Sequence, residues 1–386
     1  MSDQKEVLTY HSSLITHHCF CVAFAPQPGP DTVALLLQRQ RAWRENASKF
    51  AAPPRARALL LLSGAHVFVA PHTTVFKGTG QTLLVKQTTL ATPVEASGIG
   101  LHTAVPVHLR LVPAPPDTGY VFIRTDLGGF EIPASVEWVA HCSYATTLMR
   151  TGVMLSTVEH LLAALRGGGV DNAYIEVDNL EIPIMDGSAE AFTDMIERAG
   201  VVEQPLGRKA LLVRETVSIE QGDRRIRIEP AETYEIDCLI DFRHPLIGVQ
   251  HYKVDLTNGT FGREISAART FGFTEEIEAL RRANLIRGGS LENAIVLTAD
   301  GMLNETSLRF TDEFVRHKIL DIVGDLALLG MPIMGRVTAH KSGHVLHAAL
   351  MTKLLRQRTA WEIVDMGLGN AQLLRRTHAH TFIPLA

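Results

Sequence analysis

A weak internal repeat constrains the fold of this 386-residue chain more than any other feature. In each copy a histidine follows a charged residue and precedes two aliphatic residues. The aliphatic pair comes directly after the histidine in VEHLL (158–162) and after one lysine in VRHKIL (315–320). Apolar residues recur at helical spacing around both histidines. We therefore expect two similar domains, 86–207 and 208–362, whose two histidine-bearing helices meet across a pseudo-twofold axis and build one site together.

Hydrophobic periodicity predicts the elements of both halves. In the first half it predicts strands at 105–112, 120–123 and 173–177 and helices at 156–165 and 190–199. In the second half it predicts strands at 211–219, 225–228, 234–242 and 336–340 and helices at 312–329 and 346–357. Ser156 or Thr157 stands where the first helix needs an amino-terminal cap.

The ends of the chain differ from its centre. Residues 1–86 carry nine Lys or Arg against four Asp or Glu, together with proline clusters that break regular elements. Three interpretations stay open for this segment: a poorly ordered extension, an unused upstream start (no Met lies between Met1 and Met149), or a targeting peptide. Residues 363–386 form a carboxy-terminal tail.

Composition excludes several classes of protein. Hydrophobic residues make up 46% of the chain and the net charge is −4, which argues against a disordered chain and against a nucleic-acid binder. The four cysteines form no CxxC pair, so a reducing cytoplasm fits best. The longest apolar run, 58–70, is shorter than the roughly 20 residues of a membrane helix, so we expect no stable membrane insertion.

One helix carries a candidate metal pair. His317 and Asp321 are four residues apart and therefore share a helix face. With His160 from the other helix they would form a His2Asp set with one open position, as in catalytic zinc sites. Glu159, next to His160, could act as the general base. The alternatives are a water-exposed His–Asp pair, and a Glu159 that only caps its helix.

Further candidates surround this set. His344 lies in a glycine-flanked loop and could protonate a leaving amine or stabilise an oxyanion, with Asp325 holding it charged. The alternative is a surface-loop histidine. Lys318 and Lys341 would suit a phosphate-bearing substrate or be solvated, and Thr270 is a possible oxyanion donor. The apolar stretch that includes Ile277 either belongs to the core or lines a groove for an acyl chain.

Seven segments between about residue 87 and about residue 361 resemble one protein family, and they occur in the order and at the spacing of that family. They are GIGLHTAVPV (98–107), PPDTGYVFIRTDL (115–127), STVEHLLAAL (156–165), VDNAYIEVDNLEIPIMDGSAEAF (170–192), ARTFGF (268–273), DEFVRHKILDIVGDLALLG (312–330) and AHKSGH (339–344). Together they are similar to the UDP-3-O-acyl-N-acetylglucosamine deacetylases, the zinc amidases of lipid A biosynthesis. The first 85 residues and the tail fall outside the resemblance.

The resemblance implies a fold and a set of roles. The fold is α+β, with two similar domains of layered sheet and helices facing each other across a zinc site, each with a small insert. The implied ligands of Zn²⁺ are His160, His317 and Asp321. The implied catalytic residues are Glu159 as base, His344 with its partner Asp325 as the cationic proton donor, and Thr270 at the oxyanion. The implied substrate contacts are Phe271, Lys318, Lys341, and in the acyl-chain insert Ile277, Gly289 and Ser290.

The implied reaction is hydrolysis of the N-acetyl group of UDP-3-O-(3-hydroxyacyl)-N-acetylglucosamine to the free amine and acetate, the committed step of lipid A biosynthesis. We expect a cytoplasmic monomer whose partner is this small molecule, which could bring it to the inner face of the inner membrane. Two alternatives stay open: a metal-free binding relative on the same fold, and a zinc amidase for another nucleotide sugar. Fe²⁺ could also occupy a site of these ligand types.

Overall fold

The computed structural model describes residues 85–257 and 259–367. The predictions for residues 1–84 and for 368–386 therefore lie outside the described residues, and the domain boundaries stay predictions. The helices are α1 (Glu159–Gly167), α2 (Glu190–Ala199), α3 (Thr260–Glu264), α4 (Thr274–Arg282), α5 (Glu313–Leu326) and α6 (His344–Arg356). Among the described residues, no helix combines the length and the apolar character that crossing a membrane requires.

A five-stranded sheet dominates the first half. The strands of this half are β1 (Lys86–Leu90), β2 (Val94–Ile99), β3 (Pro106–Pro113), β4 (Tyr120–Arg124), β5 (Phe130–Pro133), β6 (Val139–His141), β7 (Thr147–Arg150), β8 (Val153–Leu155), β9 (Ala173–Val177) and β10 (Val201–Gly207). The main sheet has the order β2–β3–β9–β4–β5, and only β4 and β9 run parallel. Val107, Leu109 and Leu111 alternate inward along β3 and join one hydrophobic core with α1 and α2.

A larger sheet forms the second half. Its strands are β11 (Lys209–Val213), β12 (Val217–Gln221), β13 (Arg224–Glu229), β14 (Tyr234–Phe242), β15 (Gly248–Asp255), β16 (Phe271–Phe273), β17 (Ile295–Leu297), β18 (Ile333–His340) and β19 (Trp361–Asp365). The path runs β12–β13–β18–β11–β19, and β14 joins β18 to β15. Strict alternation buries Ile236, Cys238 and Ile240 of β14, as their spacing predicts. The mixture of sheets and helices confirms the α+β class.

The predicted single strand 211–219 is wrong. The chain forms β11 and β12 instead, because the N–H groups of Arg214 and Glu215 both turn to the carbonyl of Ala360, at 2.7 and 3.3 Å. These residues connect β11, which pairs with β18 and β19, to β12, which pairs with β13. The bend therefore lets the two apolar ends of this stretch serve two places in the same sheet.

Helices α1 and α5 are the elements that position the site. In α1 every residue from Glu159 to Leu165 is buried, and α5 is buried on almost every side. The helices approach closely at Gly324 of α5, where an added Cβ would lie 2.0 Å from the carbonyl oxygen of Glu159. Only glycine leaves room for such an approach. The start of α1 is thereby held against the middle of α5.

Candidate active site

A strained turn leads the chain into α1. Thr157 has a φ of 60°, an unusual conformation for a β-branched residue, and its hydroxyl donates to the buried carboxylate of Glu181 at 3.1 Å. The hydroxyl of Ser156 pairs with Thr147 at 2.9 Å. The predicted cap of α1 by Ser156 or Thr157 is therefore wrong, because both side chains are bonded elsewhere and the cap position falls on Val158. The turn delivers Glu159 and His160 into the interior.

Three side chains from the two helices form one cluster. The Nε2 atoms of His317 and His160 lie 3.4 and 3.8 Å from Oδ1 of Asp321, and all three side chains are at most 6% exposed. Ligands at about 2.0–2.1 Å from a tetrahedral ion are separated by about 3.3 Å, so this spacing is close to that of a metal site. The interpretation of His317 and Asp321 as a water-exposed pair is wrong.

The protonation states of the cluster also suit a metal. Nδ1 of His317 lies 3.0 Å from the carbonyl oxygen of Ala268, so the proton sits on Nδ1 and the Nε2 lone pair faces Asp321. Burial lowers the pKa of His317. Burial and the neighbouring His317 lower the pKa of His160 to about 3. Burial alone would raise the pKa of Asp321, but the Lys318 ammonium together with the neighbouring His317 and His344 outweighs burial and holds the pKa well below its usual range. Two neutral imidazoles and one carboxylate are the forms that bind a divalent cation.

Glu159 lies beside this cluster and does not cap its helix. Its Oε2 accepts the N–H of Thr146 at 3.1 Å, and its Oε1 lies 3.9 Å from Nε2 of His344. Burial raises the pKa of Glu159 to about 7, although the charge of His344 opposes the shift. A carboxyl group with a pKa near neutrality is well suited to take up a proton in a reaction.

His344 begins helix α6 and is not a surface-loop residue. Its side chain is 13% exposed, and its Nδ1 donates to Oδ2 of Asp325 at 2.7 Å. Burial would lower its pKa, but the Asp325 carboxylate outweighs burial and raises the pKa of His344 to about 10. The imidazolium therefore persists at neutral pH, with Nε2–H directed toward Glu159. A base and an acid with pKa values moved in this way form an acid–base pair.

Asp325, His344 and His347 form a second group of possible metal ligands. Both Nδ1 atoms lie at hydrogen-bond distance from Oδ2 of Asp325, at 2.7 and 2.6 Å. These separations are too short for the edges of a metal tetrahedron, which are about 3.3 Å for ordinary bond lengths. The second group is a hydrogen-bonded network.

The predicted substrate residues near α5 surround the cluster. The Phe271 ring lies 5.0 Å from that of Phe314 and 6.4 Å from that of His317. Lys318 is not simply solvated, because its Nζ is 2.9 Å from Oδ2 of Asp321 and 5.2 Å from the centre of the Phe271 ring. Thr270 precedes Phe271, and its N–H donates to Gly187 at 2.8 Å. The catalytic role of its hydroxyl stays a prediction.

Lys341 is also held by carboxylates. Its Nζ lies 3.0 Å from Oδ2 of Asp223 and 2.9 Å from Oδ2 of Asp241. Its backbone has a φ of 51°, and it lies two residues before Gly343 and three before His344, where α6 begins. A phosphate at this lysine would have to share it with these two aspartates.

The apolar stretch around α4 is not core. No residue of α4 is buried, and Ile277 keeps a half-buried side chain while Ser290 is exposed. Gly289 follows Gly288, whose N–H donates to the carbonyl of Leu101 at 2.9 Å. This bond fastens the end of the stretch to the first half of the chain. An apolar face outside the core is what a groove for an acyl chain requires.

Sequence reasoning missed two residues of the network. Thr146 donates hydrogen bonds to two buried carboxylates: its N–H donates to Glu159, and its hydroxyl donates to Oδ1 of Asp325 at 2.6 Å. No local pattern marks it, because its partners lie 13 and 179 residues away. His347 could have been found, because it follows His344 by three residues and so shares its helix face.

Comparisons with known proteins identify the family of this chain. The family model described as LpxC, UDP-3-O-acyl N-acetylglycosamine deacetylase, matches residues 87–356. A protein of Myxococcus xanthus (strain DK1622), named UDP-3-O-acyl-N-acetylglucosamine deacetylase, is 48% identical over 292 residues, covering 73% of this chain and 93% of its own. Proteins of the same name from Solibacter usitatus (strain Ellin6076) and Hahella chejuensis (strain KCTC 2396) are each 46% identical, over 278 and 284 residues, covering 72% and 73% of this chain and 94% of their own. The chain belongs to the UDP-3-O-acyl-N-acetylglucosamine deacetylase family.

Proposed function

We propose that this chain hydrolyses the N-acetyl group of UDP-3-O-(3-hydroxyacyl)-N-acetylglucosamine, giving the free amine and acetate in lipid A biosynthesis. One observation carries the proposal. Glu159 and His344 form an acid–base pair 3.9 Å apart, beside two neutral histidines and a carboxylate that can hold a metal. Hydrolysis of an amide needs these groups together, because water must lose a proton and the amine must gain one.

We assign His160, His317 and Asp321 as the ligands of a divalent cation, and zinc as that cation. Two imidazole nitrogens and one carboxylate oxygen leave a fourth tetrahedral position open, as catalytic zinc sites do. When bound, the ion supplies Lewis-acid polarisation of the acetyl carbonyl. Lys318 binds the second oxygen of Asp321 and so fixes which oxygen faces the histidines.

The protein's own groups account for the proton movements. Glu159 takes a proton from the attacking water as the oxygen adds to the acetyl carbon. His344, with Thr270, stabilises the negative charge that develops on the carbonyl oxygen. The carbon–nitrogen bond then breaks and His344 gives its Nε2 proton to the departing amine. The acetic acid formed loses the second proton of the water and leaves as acetate.

The same proposal assigns the remaining predicted residues to substrate binding. Phe271 and Lys318 lie beside the cluster and would contact the sugar nucleotide, and Lys341 would contact its phosphates. Ile277, Gly289 and Ser290 would border the groove for the 3-O-acyl chain. We also propose that the enzyme is a cytoplasmic monomer, brought to the inner face of the inner membrane only by its acylated substrate.

The test compares wild type with His317→Ala in bound metal and in acetate release. We expect about one zinc per chain and acetate from the wild type, and loss of both in the variant. His251→Ala is the matched control, because that histidine is 54% exposed and pairs only with Asp237 among the described contacts. Full activity in His317→Ala would refute the proposed metal site. A folded wild type that takes up no metal and releases no acetate would refute the proposal in favour of a binding protein.

Substrate identity is tested with the acylated sugar nucleotide and with the same molecule lacking the acyl chain. We expect the acylated substrate to be strongly preferred. Equal rates on both would favour an amidase for another nucleotide sugar. Iron in place of zinc in the active protein would correct the metal and leave the reaction standing.

A further inference from the structure

His347 is buried next to the proposed proton donor and has no part in the mechanism above. It lies one turn after His344 on α6 and is 1% exposed. Its Nδ1 lies 2.6 Å from Oδ2 of Asp325, the oxygen that also accepts from His344. Its Nε2 lies 2.9 Å from the hydroxyl of Ser342.

The hydrogen-bond roles in this network follow from its chemistry. An ionised carboxylate only accepts, so both Nδ1 atoms on Asp325 must carry protons. In a neutral His347 the Nε2 atom then has a lone pair, and Ser342 can donate to it. The hydroxyl of Thr146 donates to the other oxygen of Asp325 at 2.6 Å. Three donors therefore hold one buried carboxylate.

We propose that His347 is a positioning residue that acts through Asp325 to fix the direction of the His344 imidazole. The inference rests on the function proposed above, in which Nε2 of His344 gives the proton. With Thr146 on one oxygen and two imidazoles on the other, Asp325 has a single orientation. Without His347, Oδ2 of Asp325 keeps only its hydrogen bond from Nδ1 of His344, which is the bond that must orient the imidazole. The carboxylate can then turn about its side-chain torsion.

Other charged groups face this network and do not replace His347. Glu159 approaches His344 from α1 at 3.9 Å, and Asp321 lies one turn before Asp325 on α5. Both are carboxylates, which cannot donate to Asp325 when ionised. The buried Cys142 thiol is a weak donor at best. Among the described contacts of Asp325, only His347 adds a second donor to Oδ2.

Two substitutions separate positioning from simple packing. In His347→Asn the amide nitrogen can occupy the place of Nδ1 and donate to Asp325, although the contact with Ser342 is lost. In His347→Leu a side chain of similar bulk fills the space without a donor. We expect His347→Leu to lower kcat about tenfold or more with KM within about twofold, and His347→Asn to stay within about threefold of wild type in kcat.

Bound metal and the thermal midpoint are measured on the same samples. Both variants should retain the metal, because His347 does not contact its ligands in the described structure. If His347→Leu keeps wild-type kcat and loses only thermal stability, the residue is a packing residue and the inference is wrong. The inference is equally wrong if His347→Asn loses as much kcat as His347→Leu.

A spectroscopic measurement tests the network without substrate. The Nδ1 proton of His344 should give a slowly exchanging NMR signal, identified by its absence in His344→Ala. This signal should survive in His347→Asn and exchange much faster in His347→Leu. An unchanged signal in His347→Leu would overturn the inference. A wild type that keeps the signal but releases no acetate would refute the proposed function alone.

Discussion

The contact between α1 and α5 at Gly324 should be indispensable to the active site. An alanine there would place its Cβ 2.0 Å from the carbonyl oxygen of Glu159, 2.7 Å from the carbonyl carbon and 3.0 Å from Cα. All three are backbone atoms, so no side-chain rotation can relieve the clash. The atoms in contact belong to the proposed base, and the next residue is the proposed ligand His160.

The required displacement follows from these distances. Cβ atoms essentially never come within 3.0 Å of another heavy atom, so the carbonyl oxygen must move away by at least 1.0 Å. Overpacking of this kind costs about 1–3 kcal/mol of the free energy of unfolding. A misplacement of about 1 Å in a catalytic site can cost about 100-fold in rate. Gly324→Ala should therefore stay folded while losing about two orders of magnitude in kcat/KM and binding its metal more weakly.

Three assays check this expectation: urea unfolding, acetate release and competition for the metal with a chelator. Gly262→Ala in α3 is the matched control, because its added Cβ meets only Thr193, at 4.0 Å. The control should behave as wild type in all three assays. A folded Gly324→Ala protein with wild-type kcat/KM and metal affinity would show that the helices do not need this approach, and the reasoning would fail.

Three further predictions concern the proposed base, the proposed acid–base pair and a buried ion pair. Glu159→Gln should retain its metal and lose about 10²–10⁴-fold in kcat, and a smaller loss would mean that Glu159 is not the base. Activity should rise as pH increases through about 7, where Glu159 loses its proton, and fall as pH passes about 10, where His344 loses its own; a rate that is flat from pH 6 to 11 would contradict both roles. Arg269→Met should lower the free energy of unfolding by about 3–5 kcal/mol in urea titrations, because the fully buried Glu313 carboxylate loses the guanidinium that lies 2.8 Å away. Adding Glu313→Leu should recover part of that loss, and no recovery would mean that the pair is not coupled.

Local patterns were sufficient to predict the helices that carry the site. The predicted helix 312–329 corresponds to α5 followed by the short 3-10 helix Ala327–Leu329. Helical spacing alone placed His317 and Asp321 on one face, and the repeat suggested that the other histidine-bearing helix meets it. The structure brings His160 to the same oxygen of Asp321 as His317.

Hydrogen bonds between residues distant in the chain could not be predicted from the sequence. Nothing near Thr146 indicates that it bonds two carboxylates from two different helices. The caps proposed for α1 failed for the same reason, because Thr157 bonds Glu181, which is 24 residues away. Short-range rules count the partners that a residue could have locally, whereas a buried hydroxyl takes whichever acceptor the fold brings to it.

Asp321 and Asp325 show how far spacing determines chemistry and where it stops. They lie one turn apart on α5, both are buried, and each faces two histidines. Toward Asp325 the histidines present protonated Nδ1 atoms at 2.6–2.7 Å, which is a stable arrangement without any ion.

Toward Asp321 the geometry is different, because the histidines present Nε2 atoms at 3.4 and 3.8 Å, too far apart for strong hydrogen bonds. The proton of His317 is committed to the carbonyl of Ala268, so the Nε2 lone pair of His317 faces the carboxylate lone pairs. Lone pairs facing each other in a buried site repel unless a cation lies between them. The carbonyl of Ala268, a partner that the sequence does not indicate, therefore turns the Nε2 lone pair of His317 toward the carboxylate that we propose as a metal ligand.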